Sequence, residues 1–237
     1  MSQENGKDIR LCNYSRLNVG LNFAKRLGAT HAILTSRADP TQEDSLYLRE
    51  LIGVASAYLP LVDMHTNGFL LLPGMPKESL LKELVEAGLT MITFSIASFD
   101  NEVNRHLMLI KKNPADLISR AVDLGLLVRC SLVMNTEGVI TVLDALQYIK
   151  EAGNRGAHMV VIREVWTPDV YGDFSPDVYG WNLEHKVAIK PIQDAFEEIS
   201  RDQKNPYGLT ELDPLPWGTP VFAVGGVFED KDHGVNV

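Results

Sequence analysis

The residues of this chain that could do chemistry lie where short apolar segments end. Each segment is followed by hydroxyl, amide, carboxylate or guanidinium side chains, which together can hydrogen-bond a polar or charged ligand. Polar loops follow apolar segments in many folds, and this alone would explain much of the composition. The composition therefore favours a binding site but does not require one. The five polar groups are "SRADP" (36–40), "HTNG" (65–68), "SIAS" (95–98), "MNTEG" (134–138) and "REVWTP" (163–168).

Cysteine and histidine usage argues against a metal site of the usual kinds. The sequence has two cysteines, Cys12 and Cys130, which lie far apart and form no C-x-x-C pair. This usage is typical of a reduced protein without a disulfide framework. The six histidines show no metal-ligand spacing such as H-E-x-x-H.

The elements that position these groups alternate between strand and helix. The segments "HAILTS", "LVDMHT", "TMITFS", "LVRCSLVM" and "MVVIREVW" indicate strands that recur about every thirty residues. Between them lie amphipathic helical stretches, four of which end on Gly28, Gly88, Gly125 and Gly153. The pattern predicts an α/β fold with a parallel sheet, either open or closed into a barrel. Both architectures bind ligands at the carboxyl ends of their strands.

The ordered strand ends resemble the radical S-adenosylmethionine (SAM) superfamily, whose core is a partial TIM-like barrel. "SRADP" is similar to the G-G-E-P-like group that ends the second strand of that barrel. "TNG" (66–68) matches the end of the third strand, and "LVEAGLTMITFSIASFD" and "AVDLGLLVRCSLVMN" are similar to the fourth and fifth units. The resemblance covers about residues 15 to 166. "SIASFDNEVNRHL" also resembles the viperin-like branch locally.

The resemblance implies a set of contacts with SAM. Asp39 would accept hydrogen bonds from the ammonium group of SAM, and helix capping before "TQEDSLYL" is the alternative or additional role of this acid. A serine at the position of Ser95 would bond the carboxylate or ribose, with helix capping as its alternative. Arg129 is a candidate for the carboxylate because a charged side chain inside a sheet needs a partner. The whole predicted cofactor-binding set is Ser36, Ala38, Asp39, Thr66, Asn67, Ser95, Arg129, Ser131, Asn135 and Arg163.

One departure from the superfamily concerns its 4Fe-4S cluster, which three cysteines in C-x3-C-x2-C bind after the first strand. If Cys12 were the first ligand, the others would fall on Arg16 and Val19. The first predicted helix instead runs directly into "HAILTS", so we expect the first strand and the cluster loop to be missing. The chain would then be a fragment of a longer protein or a homologue that has lost its cluster. Neither case allows reductive SAM cleavage by the chain as given.

Three functions remain open from the sequence. The first is a radical SAM enzyme in its full-length form. The second is a degenerate non-catalytic barrel that binds SAM or a nucleotide, and the third is an unrelated α/β-barrel lyase. A lyase would often need a Schiff-base lysine at a strand end, and no strand-like segment has one. The substrate, a small molecule or a peptide, is not identified.

Bulk properties add expectations about partners and organisation. A net charge of -9 argues against nucleic acid or anionic lipid as a partner, and no apolar segment is long enough for a membrane span, which favours a cytoplasmic protein. We expect residues 1–166 to form the partial barrel and 167–237 a C-terminal extension of loop, helix and hairpin. Without a first strand, the edge of "HAILTS" would be free for self-association.

Overall fold

A computed structural model describes residues 12–36, 38–167, 176–225 and 235–237. Strands and helices alternate through the first two thirds of the chain. The strands are β1 (His31–Leu34), β2 (Leu61–Thr66), β3 (Met91–Ser95), β4 (Leu127–Met134), β5 (Met159–Glu164), β6 (Leu209–Leu212), β7 (Val221–Val224) and β8 (Val235–Asn236). The helices are α1 (Tyr14–Arg26), α2 (Ser45–Ser56), α3 (Leu80–Glu86), α4 (Asn101–Met108), α5 (Leu117–Asp123), α6 (Val142–Asn154), α7 (Pro176–His185) and α8 (Lys190–Arg201).

The strands form one sheet in the order β1-β2-β3-β4-β5-β8-β7-β6. Strands β1 to β5 are parallel neighbours in chain order, and β8 continues the parallel part beside β5. Strands β6 and β7 are antiparallel to their neighbours. Because parallel crossovers are right-handed, five consecutive parallel strands place their connecting helices on one face of the sheet.

The two faces of the sheet differ in burial. In β4 the side chains of Val128, Cys130 and Leu132 are fully buried under the helices, whereas Leu127 and Val133 on the other face are exposed. Side chains alternate between the faces of a strand, so this other face carries every second residue of β1 to β5. We call it the concave face, since it corresponds to the interior of a barrel.

The helices begin and end largely where the sequence predicts. Leu80, Leu81 and Leu84 of α3 are buried, as the amphipathic pattern requires. Gly28, Gly88 and Gly125 follow helices with positive φ angles of 88°, 107° and 82°. The prediction for Gly153 is wrong, because this residue lies buried inside α6. Gly156, with a φ of 92°, follows the end of that helix instead.

The last third of the chain follows its predicted pattern only in part. The segment "EHKVAIKPIQDAFEEIS" (184–200) predicts a helix that Pro191 kinks or breaks, and Pro191 indeed stands in the first turn of α8, after α7 has ended at His185. The hexapeptide S/T-P-D-V-Y-G occurs twice, at 167–172 and 175–180, and its composition predicts a turn-rich loop, but from Pro176 onward the second copy forms α7. The second strand predicted after Gly225 lies outside the described residues. Strands β6 to β8 continue the same sheet, and the division at residue 166 stays a prediction.

The predicted fold class, an α/β chain built on a parallel sheet, is confirmed. Among the described residues, β1 forms one edge of the sheet and α1 comes directly before it, with no strand between. None of the helices in the described ranges is long and apolar enough to cross a membrane.

Candidate functional site

Asp39 joins the carboxyl ends of β1 and β2. Its Oδ1 accepts hydrogen bonds from the backbone N of Thr41 at 2.9 Å and from Oγ1 of the same residue at 2.6 Å. Thr66 Oγ1 donates to both carboxylate oxygens at 2.8 and 2.9 Å, and the backbone N of Asn67 donates to Oδ2 at 2.5 Å. Asp39 is also the N-cap of the short 3-10 helix Pro40–Gln42. Capping and contact between strand ends therefore coexist at this carboxylate.

The turn after β2 depends on a glycine. Thr66 Oγ1 accepts a hydrogen bond from the backbone N of Gly68 at 2.9 Å, and Asn67 Oδ1 accepts one from Phe69 N at 3.0 Å. Gly68 has a φ of 71°, a left-handed conformation that glycine adopts without steric cost. A Cβ at this position would lie 2.9 Å from Pro114 Cβ. The matched "TNG" is thus required by backbone conformation and by packing.

The loop after β3 is fixed by three side chains from other parts of the chain. Asn104 Oδ1 accepts from the backbone N of Ala97 at 2.9 Å, and Tyr148 Oη donates to the carbonyl of Ile96 at 2.8 Å. Asn113 Nδ2 donates to the carbonyl of Ser98 at 3.0 Å. These bonds place the loop between Ser95 and α4 without using either of its serines as a donor.

The predicted helix-capping role of the serines is only indirect. Asp100 is the N-cap of α4 and accepts from the backbone N of Glu102 and Val103 at 2.9 Å each. Ser98 Oγ accepts from Asp100 N at 3.1 Å and so supports the cap. Ser95 does not cap the helix, which leaves its hydroxyl available on the concave face.

A polar cluster lies on the concave face of β2, β3 and β4. Asp63 is fully buried, and its carboxylate accepts from Thr93 Oγ1 at 3.0 Å and from Arg129 Nη2 at 2.5 Å. Arg129 Nε donates to Thr93 Oγ1 at 3.0 Å. His65 Nε2 lies 3.0 Å from Asp63 Oδ2 and 3.0 Å from Arg129 Nη2. The buried charge of Asp63 is thus paired and hydrogen-bonded, as burial of a carboxylate requires.

Arg129 is influenced by opposing effects. Burial lowers the pKa of its guanidinium group, the neighbouring Asp63 raises it, and the positive charge of Arg163 lowers it further. Arg163 is exposed at the upper end of β5, on the concave face. The positive charge of Arg163 therefore acts on Arg129, although the register places Arg163 beside Val133, four residues beyond Arg129. Within the described ranges, no carboxylate forms an ion pair with Arg163.

Ser95 and Ser131 lie side by side at the upper end of this face. They are register partners on β3 and β4, and both are partly exposed. Neither hydroxyl forms a hydrogen bond with a described residue. Thr93 and Arg129 are the next register pair below them. Two hydroxyl groups thus stand above the buried ionic cluster.

The end of β4 carries polar contacts of a structural kind. Asn135 is buried, with Nδ2 donating to the carbonyl of Val133 at 3.2 Å and Oδ1 accepting from Glu137 N at 3.0 Å. Glu137 lies 2.9 Å from His106 Nε2 and 3.2 Å from His185 Nε2. Lys186 pairs with Glu164 at 3.2 Å, next to the end of β5. These contacts tie α4 and α7 to the strand ends.

The predicted site residues fall into three groups. Asp39, Thr66 and Asn67 meet directly, and Ser36, whose hydroxyl donates to the Ala38 carbonyl, lies in the same strand-end segment. Ser95, Ser131, Arg129 and Arg163 share the concave face. Asn135 is engaged in its own turn. Their role as cofactor ligands stays a prediction.

The strand-end motifs did not indicate Asp63 or Thr93 as site residues, and His65 stands in its motif as a lone histidine. A signal was present in the strands. "LVDMHT" places Asp63 and His65 two residues apart, and "TMITFS" does the same with Thr93 and Ser95. A period of two puts such polar residues on one face of a strand, which marks a polar barrel interior.

The cysteines do not fit an iron-sulfur cluster. Cys130 is buried on the helix-covered face of β4, and burial raises the pKa of its thiol to about 12. Iron is bound by thiolates, and Cys130 is held in its protonated form. Cys12 lies before α1. Among the described residues, no group of three or more His, Cys, Asp or Glu side chains is arranged to hold a metal ion.

Comparison with solved structures identifies the fold. The chain is similar to SuiB from Streptococcus suis with a TM-score of 0.50 and 13% identity, covering 81% of this chain and 42% of SuiB. Methylornithine synthase (PylB) matches with a TM-score of 0.48 and 18% identity over 65% of this chain and 44% of that one. TYW1 with a lysine-pyruvate adduct bound matches with a TM-score of 0.46 and 12% identity over 90% and 66%. All three are radical SAM enzymes.

The similarity to SuiB shows the fold alone, a partial TIM-like barrel. The chain spans between 34% and 66% of the length of the solved chains reported as similar. No family sequence model matches the chain, and no curated protein sequence matches it significantly. The local similarity to the viperin-like branch stays a prediction.

Proposed function

We propose that this chain, which has the radical SAM fold, is a SAM-binding barrel. SAM would lie across the carboxyl ends of β1 to β4, with its amino-acid part at the Asp39 turn and the serine pair. In a full-length enzyme, ligands from outside these 237 residues would hold a 4Fe-4S cluster, and the reduced cluster would supply the electron for reductive cleavage. The reaction and its substrate belong to the same proposal.

The observation that carries the proposal is the convergence at Asp39. Two loops that are 27 residues apart in sequence, after β1 and after β2, meet at one carboxylate through the Thr66 hydroxyl. The negative charge and the carbonyl groups beside it suit an ammonium group. The free hydroxyls of Ser95 and Ser131 suit an anionic or hydroxyl-bearing part of the same ligand.

The hydrogen bonds that Asp39 already accepts limit how it can bind an ammonium group. Two backbone N–H groups and two hydroxyls occupy the roughly four lone-pair sites of this carboxylate, so an ammonium group would share or displace one of them. Asp39 would therefore act both as the organiser of the turn and as its negative charge.

The test is the affinity for S-adenosylhomocysteine, measured by isothermal calorimetry on wild type and Asp39→Asn. We expect a loss of about 1.5–3 kcal/mol, because a hydrogen bond to a charged group is removed. The matched control is Asp44→Asn, since Asp44 caps α2 through Tyr47 N and forms none of the hydrogen bonds between the strand ends. Unchanged affinity in Asp39→Asn, with a lowered melting temperature, would reduce Asp39 to a helix cap.

A second candidate function is a non-catalytic barrel that keeps the binding site. The buried, protonated Cys130 favours it, because the chain offers no cluster ligands of its own. Anaerobic reconstitution of the chain, followed by iron and sulfide assay, should give no stoichiometric cluster. Adding the upstream coding sequence distinguishes the candidates, since a C-x3-C-x2-C in that segment would restore cluster binding.

A further inference from the structure

The cluster of Asp63, His65, Thr93 and Arg129 lies deeper than the proposed cofactor contacts. Arg129 and Thr93 form the register pair two residues before Ser131 and Ser95. At about 3.3 Å per residue, this places the cluster about 6–7 Å below the serine pair along the strands. The cluster is therefore part of the concave face that a ligand at the strand ends leaves uncovered.

The cluster has unused hydrogen-bonding groups that face this space. Arg129 donates through Nε and Nη2, and its Nη1 makes no bond with a described residue. His65 Nε2 contacts a donor and an acceptor, whereas its Nδ1 has no partner in the described part of the chain. The side chain of His65 is about one-fifth exposed, so Nδ1 can reach a ligand.

Within the described residues, the concave face carries two guanidinium groups and one buried carboxylate, a charge balance that favours binding of an anion. Asp63 is the carboxylate of the cluster, and it is already paired with Arg129. Arg163, on the same face but two register positions beyond Ser131, adds a second guanidinium with no carboxylate partner among the described residues. Two guanidinium groups that repel each other bind an anion between them favourably, since each gains a charge-assisted hydrogen bond. This positive face belongs to a chain whose net charge is -9.

We propose that Arg129, Arg163 and a protonated Nδ1 of His65 donate hydrogen bonds to an anionic group, a carboxylate or a phosphate, of the substrate. Asp63 is a positioning residue, because it fixes the Arg129 guanidinium and contacts Nε2 of His65. The inference rests on the proposed function in one respect: the ligand is the substrate that shares the concave face with SAM. It departs from the sequence-based prediction that Arg129 meets the carboxylate of SAM itself.

The experiment follows the six histidines by long-range 1H–15N NMR correlation on the 15N-histidine-labelled full chain. Malonate and inorganic phosphate are titrated separately against sodium chloride of equal ionic strength. We expect one of the anions to shift the Nδ1 resonance of His65 saturably, while the other histidines move only as they do with chloride. A preference for malonate identifies a carboxylate, and a preference for phosphate identifies a phosphate.

Matched variants connect the signal to the proposed residues. Arg163→Gln should lower the affinity for the anion at least fivefold. Arg201→Gln, on the outer helix α8, should change this affinity less than twofold. His65→Asn places its amide near the position of Nδ1 and should retain binding within about threefold. His65→Gln mimics Nε2 instead and should lose about tenfold. The asparagine and glutamine pair separates ligand contact from the packing of the cluster.

Two results would overturn the inference. One is a His65 signal that does not saturate with either anion beyond the chloride control. The other is a shift of the His65 resonance by S-adenosylhomocysteine alone, together with loss of anion binding when S-adenosylhomocysteine is present. This result would mean that the cofactor carboxylate occupies the site. If S-adenosylhomocysteine fails to bind while an anion saturates His65, the proposed function fails and the anion site stands.

Discussion

At the scale of single residues, the buried ion pair of Asp63 and Arg129 is the most sensitive interaction of the candidate site. Asp63 has no access to solvent, and its carboxylate accepts hydrogen bonds from Thr93 and Arg129, with His65 Nε2 3.0 Å away. A buried carboxylate that loses its cationic partner keeps the cost of its desolvation. The cluster therefore links ligand recognition to the stability of β2, β3 and β4.

Replacement of Arg129 by methionine tests this link. Arg129→Met keeps much of the side-chain volume but leaves Asp63 unpaired, and we expect a loss of about 3–5 kcal/mol in the free energy of unfolding. Urea denaturation measures it. Arg201→Met, which removes an exposed pair with Glu197, should cost less than about 1 kcal/mol. If the double variant Asp63→Asn/Arg129→Met is no more stable than Arg129→Met alone, unpaired charge is not the cause.

Cys130 should make the free energy of unfolding decrease at alkaline pH. Burial raises the pKa of its thiol from 9.0 to about 12, so the unfolded chain loses this proton at a lower pH than the folded chain does. The folded form then binds more protons, and stability falls as the pH rises above about 9.

A comparison of Cys130→Ala with the wild type isolates this effect. Between pH 8 and pH 11, the wild type should lose roughly 2–3 kcal/mol more than Cys130→Ala does. Urea unfolding at each pH gives the two slopes, and contributions shared by both proteins cancel. Cys12→Ala, which leaves Cys130 in place, should retain the loss. Parallel pH profiles of wild type and Cys130→Ala would contradict the prediction.

At the scale of elements, the turn after β2 positions the strand end that meets Asp39. Gly68 combines a left-handed backbone with close packing against Pro114, Leu117 and Phe94. Because Thr66 Oγ1 accepts from Gly68 N and also donates to Asp39, a change of this turn moves both contacts. The element therefore transmits backbone geometry to the site.

Three glycine-to-alanine changes separate the two demands on this turn. Gly68→Ala should destabilise by more than about 1 kcal/mol and weaken S-adenosylhomocysteine binding, because both φ and the added Cβ are unfavourable. Gly74 has a φ of 78°, but a Cβ added there would meet no neighbouring atom. Gly74→Ala should therefore destabilise the protein through backbone strain alone. Gly20→Ala lies in the exposed α1 and should stabilise by about 0.5–1 kcal/mol. Thermal melting and calorimetry give both readouts, and equal effects of Gly68→Ala and Gly74→Ala would exclude a packing role.

At the scale of the whole molecule, the edge at β1 carries exposed apolar groups. Ile33 is 53% exposed, and Val19, Phe23 and Leu27 of the adjoining α1 segment are 69%, 63% and 72% exposed. The last three are spaced four residues apart and form one stripe. An edge strand with unpaired backbone groups beside apolar side chains favours pairing with another chain. We propose that the chain, expressed from Met1 to Val237, self-associates at this edge.

Sedimentation velocity with a lysine scan tests the proposed association. Ile33→Lys and Phe23→Lys should shift the protein toward monomer, because a charge at the contact must be desolvated. Leu109→Lys is the matched control, since Leu109 is 89% exposed and follows α4, away from β1. A wild-type protein that stays monomeric at high micromolar concentration would contradict the proposal.

The sequence by itself determined the order and type of the first elements. The bounds of β2 and β4 agree with the predicted segments, because strands buried on the helix side need apolar residues at every second position. Helix ends at Gly28, Gly88 and Gly125 follow from the left-handed conformation that glycine allows. Gly153 shows the limit of this local signal, since packing against the sheet extends α6 past it.

Only the tertiary structure decided which polar residues meet. Asp63 and Arg129 are 66 residues apart in sequence, and their contact depends on the register of β2, β3 and β4, which no single segment encodes. The contact of Asp39 with Thr66 and Asn67 likewise arises where two loops converge. A strand sequence fixes the face on which a side chain lies, because the period is two. It does not fix the neighbour, because register is set by the packing of the whole sheet.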